Sequence, residues 1–278
     1  MSILLDLKRL ARKVVSMCKV KKIVPIMNVV SEKQVLNGHV AFIIGGSGGI
    51  GKAIAKKFLE SGCKVIITGT SSTSVSNALQ EIAGGVKGIV FDLNACDEYD
   101  AKLAEAITFF GDIDIFVNTA GVHTNGASFW EVTRAEYDRV MKINLEDTFF
   151  ICQTIAKYMK VHKIAGHILF VSSSRGSEPA YSPYSISKWG LNGFIKGLAK
   201  ELIQYGIVVN GIAPGSTATP LIGVQSGDTI YSTENEVGRF VMPEEVASFA
   251  KMLVCDAGNM VIGEILTISG GRGIFDIR

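Results

Sequence analysis

From His39 onward, short apolar runs alternate with longer segments whose apolar positions recur every three to four residues. The short runs predict seven β-strands: Val40–Ile44, Lys64–Thr68, Gly88–Phe91, Ile113–Asn118, His167–Val171, Val208–Ile212 and Glu264–Ile268. The longer segments predict helices near residues 50–61, 74–83, 98–110, 133–162, 183–204 and 243–256. Several strand candidates are apolar at consecutive positions, which is typical of parallel strands covered on both faces.

This alternation favours βαβ units with right-handed crossovers. No internal repeat, low-complexity segment or linker divides residues 38–278. We therefore predict one doubly wound Rossmann domain over residues 38–278, an α/β fold with a seven-stranded parallel sheet.

Residues 1–37 have a different character. They carry eight Lys or Arg against two acidic residues, a net charge of +6, whereas the rest of the chain has a net charge of −4. An apolar stripe at helical spacing predicts an N-terminal helical extension: Ile3, Leu7, Leu10, Val14 and Met17. Three interpretations stay open, namely contact of residues 1–22 with an anionic membrane surface, docking on a partner or neighbouring subunit, and packing on its own domain.

Composition narrows the functional classes. A net charge of +2 does not indicate a nucleic-acid partner, and 47% hydrophobic with 19% charged residues favours a packed core. The five cysteines are scattered without a C-x-x-C pair, and the histidines form no ligand cluster, so we expect no disulfide framework and no metal site. A reducing, cytoplasmic location is expected, peripheral to a membrane if the extension binds lipid. No apolar run reaches the ~18 residues that span a bilayer.

The segment FIIGGSGGIGKAIAKKF, Phe42–Phe58, joins an apolar strand to a helix through a cluster of glycines. Such a turn lets backbone N–H groups approach a ligand closely, and the helix start presents a partial positive charge to a phosphate. The spacing Gly45-x-x-x-Gly49-x-Gly51 differs from the G-x-G-x-x-G dinucleotide pattern. The turn indicates a nucleotide site, with a purely structural turn as the alternative.

The residues after the second strand bear on the choice of dinucleotide. Dinucleotide folds usually place an acidic residue there to hold the adenosine ribose hydroxyls. This chain reads ITGTSSTS, with neither acidic nor basic residues, and Thr70, Ser71 and Ser72 could donate hydrogen bonds to a 2′-phosphate. We predict NADP(H) as the cofactor, with NAD(H) left open.

The stretch PAYSPYSISKWG places two tyrosines ahead of a lysine. Ser182 is suited to cap a helix and Pro183 to its first turn, so Tyr184 and Lys188 lie four residues apart on one helical face. A fixed ammonium favours the phenolate and lowers a tyrosine pKa from about 10 toward the working range. We predict Tyr184 as the acid–base residue, while Tyr181 lines the substrate entrance or packs.

Upstream, HILFVSSSRG ends an apolar strand in three serines, at the edge where open α/β sheets bind ligands. With this element in place, ordered motifs over residues 38–278 resemble the short-chain dehydrogenase/reductase family. IGGSGGIG resembles the family's cofactor turn, with Ile44 in place of the usual Thr, and VNTAG resembles its Asn-Asn-Ala-Gly element, with Thr119 as the variant. FDLN, KINL, VSSSRG, YSISK and VNGIAPGSTATP are similar to further elements, and LTISGG has Ser269 where an Asp is common.

The resemblance implies roles for particular residues. Its catalytic set would be Asn144, Ser173, Tyr184 and Lys188, with Ser172 as the alternative serine because the spacing to the tyrosine is shorter than in many relatives. The cofactor contacts it implies are Gly45, Ser47, Gly48, Gly49, Ile50, Gly51, Thr70, Ser71, Asp92, Leu93, Asn118, Ala120, Gly121, Tyr184, Lys188, Pro214, Gly215, Thr217 and Thr219.

In the mechanism that the resemblance implies, Tyr184 donates a proton to the substrate carbonyl oxygen as hydride arrives from nicotinamide. Lys188 lowers the tyrosine pKa and binds the nicotinamide ribose, Ser173 stabilises the developing charge, and Asn144 holds a water in a relay to Lys188. For Asn144 and Asp92, purely structural roles as a bridge and a turn former are the alternatives.

The leading hypothesis is an NADPH-dependent ketoreductase, similar to 3-oxoacyl-[acyl-carrier-protein] reductases, acting on a small carbonyl or secondary alcohol such as an acyl thioester or a polar ketone. The alternative is a sensor or scaffold that binds cofactor without turnover and is recruited through its N-terminal helix. Relatives form dimers or tetramers through the long helices, here near 133–162 and 183–204, so a homo-oligomer, up to a homotetramer, is expected.

Other positions carry weaker expectations. His123 either touches substrate or lies on an exposed loop, and segment 216–242 lies where relatives carry a mobile substrate lid. Phe149, Phe150 and Trp189 are interpreted as core or subunit-contact residues.

Overall fold

The computed structural model describes residues 34–125, 128–225 and 227–274. Almost all of the predicted extension at 1–37 lies outside this part of the chain. Its helix, the membrane contact through residues 1–22 and the division into segments 1–37 and 38–278 therefore stay predictions.

The described residues form seven strands close to the predicted apolar runs: β1 Val40–Ile44, β2 Lys64–Gly69, β3 Lys87–Val90, β4 Ile115–Asn118, β5 His167–Val171, β6 Val208–Pro214 and β7 Ile265–Ile268. All neighbours pair in parallel, in the order β3-β2-β1-β4-β5-β6-β7. The predicted doubly wound Rossmann fold with a seven-stranded parallel sheet is confirmed.

Helices connect the strands in the described part of the chain: α1 Gly49–Glu60, α2 Ser72–Ile82, α3 Tyr99–Phe110, α4 Arg134–Met141, α5 Thr148–His162, α6 Pro183–Leu202 and α7 Pro243–Val254. The helix predicted over 133–162 is interrupted by one π-helical turn, Lys142–Asp147. Such a turn adds a residue without ending the helix, so apolar periodicity does not reveal it.

The two faces of the sheet bury separate cores because successive strand residues point to opposite faces. On β1, Ala41 and Ile43 pack with residues of α1, α2 and α7, whereas Phe42 and Ile44 pack with residues of α3, α5 and α6. Burying one such large apolar side chain contributes about 1.5–3 kcal/mol. The resulting three layers fix the sheet edge on which the loops after β1, β4, β5 and β6 meet.

The start of α6 follows its predicted signals. Ser182 Oγ accepts the Ser185 N–H at 3.2 Å, the Ser182 N–H is bonded to Ser185 Oγ at 3.1 Å, and Pro183 is the first helical residue. This capping box holds Tyr184 in the first turn of the helix.

The strand order reverses direction between β1 and β4, which makes their carboxyl ends a topological switch point. Open α/β sheets bind ligands in the crevice formed there. Across the described residues, no helix combines the length and the apolar character needed to cross a bilayer.

Candidate active site

The glycine turn after β1 leaves no room for side chains. Gly45 has a φ of +72°, and a Cβ there would lie 2.9 Å from a backbone nitrogen of the loop after β4. A Cβ at Gly51 would lie 2.5 Å from the Gly45 carbonyl oxygen, and one at Gly49 would meet the Thr219 methyl carbon at 2.6 Å. Helix α1 begins here with no side-chain cap at Gly48 and no acidic residue in its first turn. These features fit a dinucleotide phosphate at the helix start.

Two threonines hold this turn. Thr119 Oγ1 donates to the Ile44 carbonyl at 2.8 Å, and the Gly45 N–H donates to Thr68 Oγ1 at 3.1 Å. Two of the departures from the family motifs, Ile44 and Thr119, are therefore in contact with each other. This contact arises from the pairing of β1 with β4 and has no signal in either motif alone.

Hydroxyl groups gather at the carboxyl end of β2. A Cβ at Gly69 would lie 2.5 Å from Ser47 Oγ and 2.7 Å from Ser74 Oγ, so both hydroxyls occupy the same small space. Ser71 caps α2 by accepting the Ser74 N–H at 3.1 Å, and both Thr70 and Ser71 are exposed. The first turn of α2 has no acidic residue. The structure thus brings three predicted cofactor contacts, Ser47, Thr70 and Ser71, to one corner of the sheet edge.

Two of the predicted cofactor contacts follow β3. Asp92 is exposed, and its Oδ1 accepts the Asn94 backbone N–H at 3.0 Å. Leu93 is buried, and its carbonyl accepts the Tyr99 hydroxyl at 2.6 Å. Asp92 therefore serves as a turn former while its carboxylate stays accessible.

Hydrogen bonds of the buried Asn118 side chain hold the loop after β4. Asn118 is buried; its Oδ1 accepts the Ala120 N–H at 2.9 Å and its Nδ2 donates to Thr148 Oγ1 at 3.1 Å. A Cβ at Gly121 would lie 3.6 Å from the Lys188 Nζ, which places the loop beside the predicted catalytic lysine.

Tyr184, Lys188 and Ser173 come together as predicted. The Lys188 Nζ lies 5.7 Å from the centroid of the Tyr184 ring and donates to the Val171 carbonyl at 3.1 Å. The Ser173 hydroxyl lies near the tyrosine hydroxyl, where it favours the phenolate. The i, i+4 spacing on α6 explains the first pair, and the end of β5 supplies the serine.

The expected direction of the tyrosine pKa is wrong. Burial raises the pKa of Tyr184 above its ordinary value, and the Ser173 hydrogen bond and the positive charge of Arg175 oppose that rise without reversing it. Burial also lowers the pKa of Lys188 to about 8. The position of Lys188 four residues after Tyr184 therefore did not determine the direction of the tyrosine pKa shift. Desolvation of the phenol outweighs the effect of its charged neighbours.

The structure separates the two candidate serines. Ser172 Oγ donates to Asn192 Oδ1 at 2.6 Å in a buried contact with α6. Ser173 Oγ instead accepts the Arg175 N–H at 3.2 Å and faces Tyr184. Successive residues of an extended chain point to opposite sides, so only one of them can serve the tyrosine.

Asn144 lies in the π-helical turn and is 1% exposed. Its Oδ1 accepts the Val122 N–H at 2.8 Å, and its Nδ2 donates to the Val122 carbonyl at 3.0 Å and to Ser187 Oγ at 3.1 Å. The residue therefore bridges α6 to the loop after β4, next to Lys188. A water relay through it stays a prediction.

A cavity of about 560 Å³ connects these parts. Ile50 of the glycine turn, Ser173 and Tyr184 line it. The residues that follow β6 line another side: Pro214, Gly215, Thr217 and Thr219. Part of the predicted cofactor set thus borders the same space as Ser173 and Tyr184, whereas Asn144 and Lys188 do not line it.

Segment 216–242 forms part of the same wall. Leu221, Ile222, Glu234 and Phe240 line the cavity, and a β-bridge between Thr217 and Val241 closes the base of the segment. Its position matches the predicted lid, whereas its mobility stays a prediction.

His123 and Tyr181 both lie at the cavity. The His123 ring stacks on the Tyr184 ring with centroids 4.1 Å apart, and burial together with the charges of Lys188 and Arg175 lowers its pKa. Tyr181 is 57% exposed at the rim, in agreement with the predicted entrance.

The core interpretation of three aromatic residues is wrong. Phe149, Phe150 and Trp189 are 40%, 46% and 47% exposed. They lie on the outer sides of α5 and α6, which hydrophobicity alone does not distinguish from the inner sides. The subunit-contact interpretation stays a prediction.

Sequence reasoning missed three charged residues that line the cavity, Arg175, Glu234 and Arg272, and also missed Glu178, which pairs with both arginines. Arg175 and Glu178 follow Ser173 in the same motif and could have been noticed there. Glu234 and Arg272 come from distant loops, and no local pattern connects them to the site.

Comparisons with known proteins agree with this geometry. Residues 39–228 match the profile of the family described as short chain dehydrogenase. The 3-oxoacyl-[acyl-carrier-protein] reductase of Aquifex aeolicus is 35% identical over 85% of this chain and 98% of its own. L-rhamnose 1-dehydrogenase (NADP(+)) of Thermoplasma acidophilum is 34% identical over 84% of this chain and 96% of its own.

A solved structure shares the fold over a similar extent. The crystal structure of a variant actinorhodin polyketide ketoreductase with NADPH matches with a TM-score of 0.79 and 26% identity, over 89% of this chain and 100% of that chain. Sequence and structure comparisons thus cover the same region that holds the glycine turn, Ser173, Tyr184 and Lys188. The chain therefore belongs to the short-chain dehydrogenase/reductase family, as an oxidoreductase that acts on CH–OH groups.

Proposed function

We propose that this protein is an NADPH-dependent ketoreductase that interconverts a carbonyl and a secondary alcohol. The observation that carries the proposal is that Tyr184 and Ser173 line one cavity that reaches the glycine turn, with the buried Lys188 one helical turn from the tyrosine. When bound, the nicotinamide dinucleotide supplies the hydride for reduction and accepts it in the reverse direction.

In this proposal the protein's own residues control the proton and the charge. Burial raises the pKa of Tyr184 above its ordinary value of about 10, so the phenol is protonated at neutral pH and donates that proton to the substrate oxygen. Ser173 donates a hydrogen bond to the same oxygen and stabilises its developing charge. Lys188 holds a positive charge beside the ring, and Asn144 fixes the loop that approaches it.

The preference for NADPH rests on the corner formed by Ser47, Thr70 and Ser71. Their hydroxyls can donate hydrogen bonds to a 2′-phosphate, and the first turn of α2 has no carboxylate to repel it. The names of two similar proteins mention NADP(+) or NADPH. Comparison of the Michaelis constants for NADPH and NADH tests the preference; a lower value for NADH contradicts it.

The substrate class follows from the cavity and from the relatives. Similar proteins are named as reductases of a 3-oxoacyl carrier protein or a polyketide and as a sugar dehydrogenase. A cavity of about 560 Å³ that opens at Tyr181 admits a small ketone or the reacting end of an acyl thioester. Screening such compounds by the loss of NADPH absorbance identifies which are reduced.

Replacing Tyr184 with Phe tests the proposed chemistry. Loss of the proton donor is expected to lower kcat for ketone reduction by about 10²- to 10⁴-fold, while dinucleotide affinity changes little because the ring remains. Tyr181→Phe is the matched control, since its hydroxyl lies at the rim, and it should keep near-normal kcat.

Two outcomes would contradict the assignment. Near-normal turnover by Tyr184→Phe removes the tyrosine from the chemistry. Binding of NADPH by the wild-type protein, with no reduction of any carbonyl in the screen, favours the alternative of a cofactor-binding sensor or scaffold.

A further inference from the structure

One side of the cavity is lined by three charged side chains, Arg175, Glu234 and Arg272, and both arginines pair with Glu178. These four residues are here called the charged wall. The Arg175 Nη1 donates to Glu178 Oε2 at 2.8 Å, and the Arg272 Nε donates to Glu178 Oε1 at 3.2 Å. Arg272 Nη1 also bonds to Glu234 Oε2. Their placement beside Ser173 and Tyr184 makes them candidates for contact with substrate.

Three members of the charged wall are fully engaged with one another. The side chain of Glu178 is 7% exposed and also accepts the Ser174 hydroxyl at 3.3 Å. Arg272, 16% exposed, spans both carboxylates. Glu234 accepts from both Arg272 and Ser216, and its pKa is lowered, so it stays ionised. These three residues together carry one more negative than positive charge, and Arg175 balances it.

Arg175 differs from the other three. Its side chain is 42% exposed and lines the cavity. Among the described residues, only its Nη1 has a side-chain partner, which leaves Nε and Nη2 of a planar guanidinium available. Its positive charge also acts on Tyr184, His123 and Glu234, which places it at the reacting end of the cavity.

The chemistry of this arrangement favours an anion with a single charge. A guanidinium binds a carboxylate through two parallel N–H···O bonds, a geometry that neutral esters and thioesters cannot match in strength. His123 adds no positive charge near neutral pH because its pKa is lowered. A dianionic phosphate would face Glu178 and Glu234 with only one available cation, so a carboxylate fits better.

We propose that the natural substrate is a ketone or secondary alcohol that carries a carboxylate close to the reacting carbon, and that Arg175 binds this carboxylate. The proposal rests on the ketoreductase function proposed above. Arg175 follows Ser173 by two residues and bonds to it through its backbone N–H, so carbonyl and carboxylate are separated by few carbons, as in a 2-oxo, 3-oxo or 4-oxo acid.

The test compares each keto acid with its own methyl ester. Acetoacetate, 4-oxopentanoate and 2-oxobutanoate are each paired with the ester, and kcat/KM for NADPH-dependent reduction is measured. The wild-type protein is expected to prefer the acid of at least one pair by about 10- to 100-fold, the range for a hydrogen bond to a charged group.

The variant Arg175→Gln is expected to reduce this acid-to-ester ratio to near one. The ratio isolates carboxylate binding because any effect on Tyr184 acts equally on both members of a pair. Arg134→Gln is the matched control, since Arg134 is 87% exposed and pairs with Asp138 on α4 away from the cavity. It should keep the wild-type ratio.

A measurement on the wild-type protein alone guards against a variant that fails to fold. Butanoate should inhibit ester reduction competitively, and at least 10-fold better than butanamide. Equal inhibition by the two, preference for the ester in every pair, or an unchanged ratio in Arg175→Gln overturns the proposal. Ester reduction without acid preference leaves the ketoreductase function standing, whereas no reduction of any compound counts against that function and against this inference together.

Discussion

At the scale of single residues, the environment of Tyr184 favours the protonated phenol. Burial raises its pKa, while Ser173 and Arg175 moderate the rise. A phenol that stays protonated at neutral pH is suited to donate to an alkoxide as it forms. The lowered pKa of Lys188, about 8, shows that the same dry environment acts on both groups with opposite signs.

The two adjacent serines give a paired prediction. Ser173→Ala removes the hydroxyl that faces Tyr184, so kcat for reduction should fall by about 10²- to 10³-fold, as for loss of one oxyanion donor. Ser172→Ala should instead leave the buried Asn192 oxygen without its donor and cost about 1–3 kcal/mol in the free energy of unfolding. Steady-state kinetics and chemical denaturation of both variants measure these effects. A larger loss of kcat in Ser172→Ala would reverse the assignment.

At the scale of elements, the amino-terminal ends of helices α1 and α6 form parts of the site. Helix α1 starts uncapped at the glycine turn, whereas α6 starts with a full capping box that fixes Tyr184. An uncapped start exposes N–H groups to a ligand, and a capped start removes them. The two helix starts therefore have different tasks at the same sheet edge.

Substitution of two helical glycines, Gly51 and Gly193, tests whether the start of α1 requires a residue without a Cβ. At Gly51 a Cβ would collide with the Gly45 backbone, so Gly51→Ala should destabilise the fold by about 1–3 kcal/mol and weaken NADPH binding. Gly193 lies exposed on α6 with nothing within 4 Å of an added Cβ, so Gly193→Ala should stabilise by about 0.5–1 kcal/mol. Denaturation curves measure the stability of the two variants, and titration with NADPH measures their cofactor binding. Equal effects of the two substitutions would show that the turn tolerates a side chain.

At the scale of the whole molecule, the two edges of the sheet have different chemistry. The carboxyl ends of the strands hold the site, and the amino ends of β1, β4 and β5 hold His39, Asp114 and His167. His39 Nδ1 lies 2.8 Å from Asp114 Oδ2, and this bond raises the pKa of His39. Burial lowers the pKa of His167, whose Nδ1 has no partner among the described residues.

These two histidines should act on stability with opposite signs. Because the folded pKa of His167 is below its unfolded value of about 6.5, stability falls as the pH drops through that value. His167→Gln should therefore lose less thermal stability than the wild-type protein between pH 7.5 and about 5. The contribution of His39 is complete below its unfolded pKa and is lost as the pH rises through its raised folded pKa, so His39→Gln should lose more on acidification. Melting temperatures across this range measure both; parallel curves for all three proteins would contradict the prediction.

The outer surface bears on assembly. Phe149, Phe150 and Trp189 are exposed on α5 and α6, and Phe149 packs on Phe194 with centroids 5.1 Å apart. Large exposed aromatic residues on neighbouring helices are typical of subunit contacts. We propose that the protein forms a dimer or tetramer through these helices, which a monomeric mass by light scattering would contradict.

The sequence alone determined the features that depend on local spacing. Apolar periodicity predicted the strands and most helices, because each pattern is contained in a window shorter than about 18 residues. Ser182, Pro183, Tyr184 and Lys188 were predicted for the same reason, since a cap and an i, i+4 pair are properties of one helix start. The glycine turn was also local, as its conformation requires residues without a Cβ.

Only the tertiary structure decided the features that depend on contacts between distant segments. Glu178 and Arg272 are 94 residues apart and meet because β5 and β7 flank β6. The choice of Ser173 over Ser172 depends on which of the two hydroxyls contacts Tyr184 and which contacts Asn192. The raised pKa of Tyr184 depends on how much protein covers the hydroxyl. Desolvation of a side chain and pairing of distant residues arise only when the layers have assembled. Helix propensity and motif spacing, in contrast, are properties of short segments of the chain.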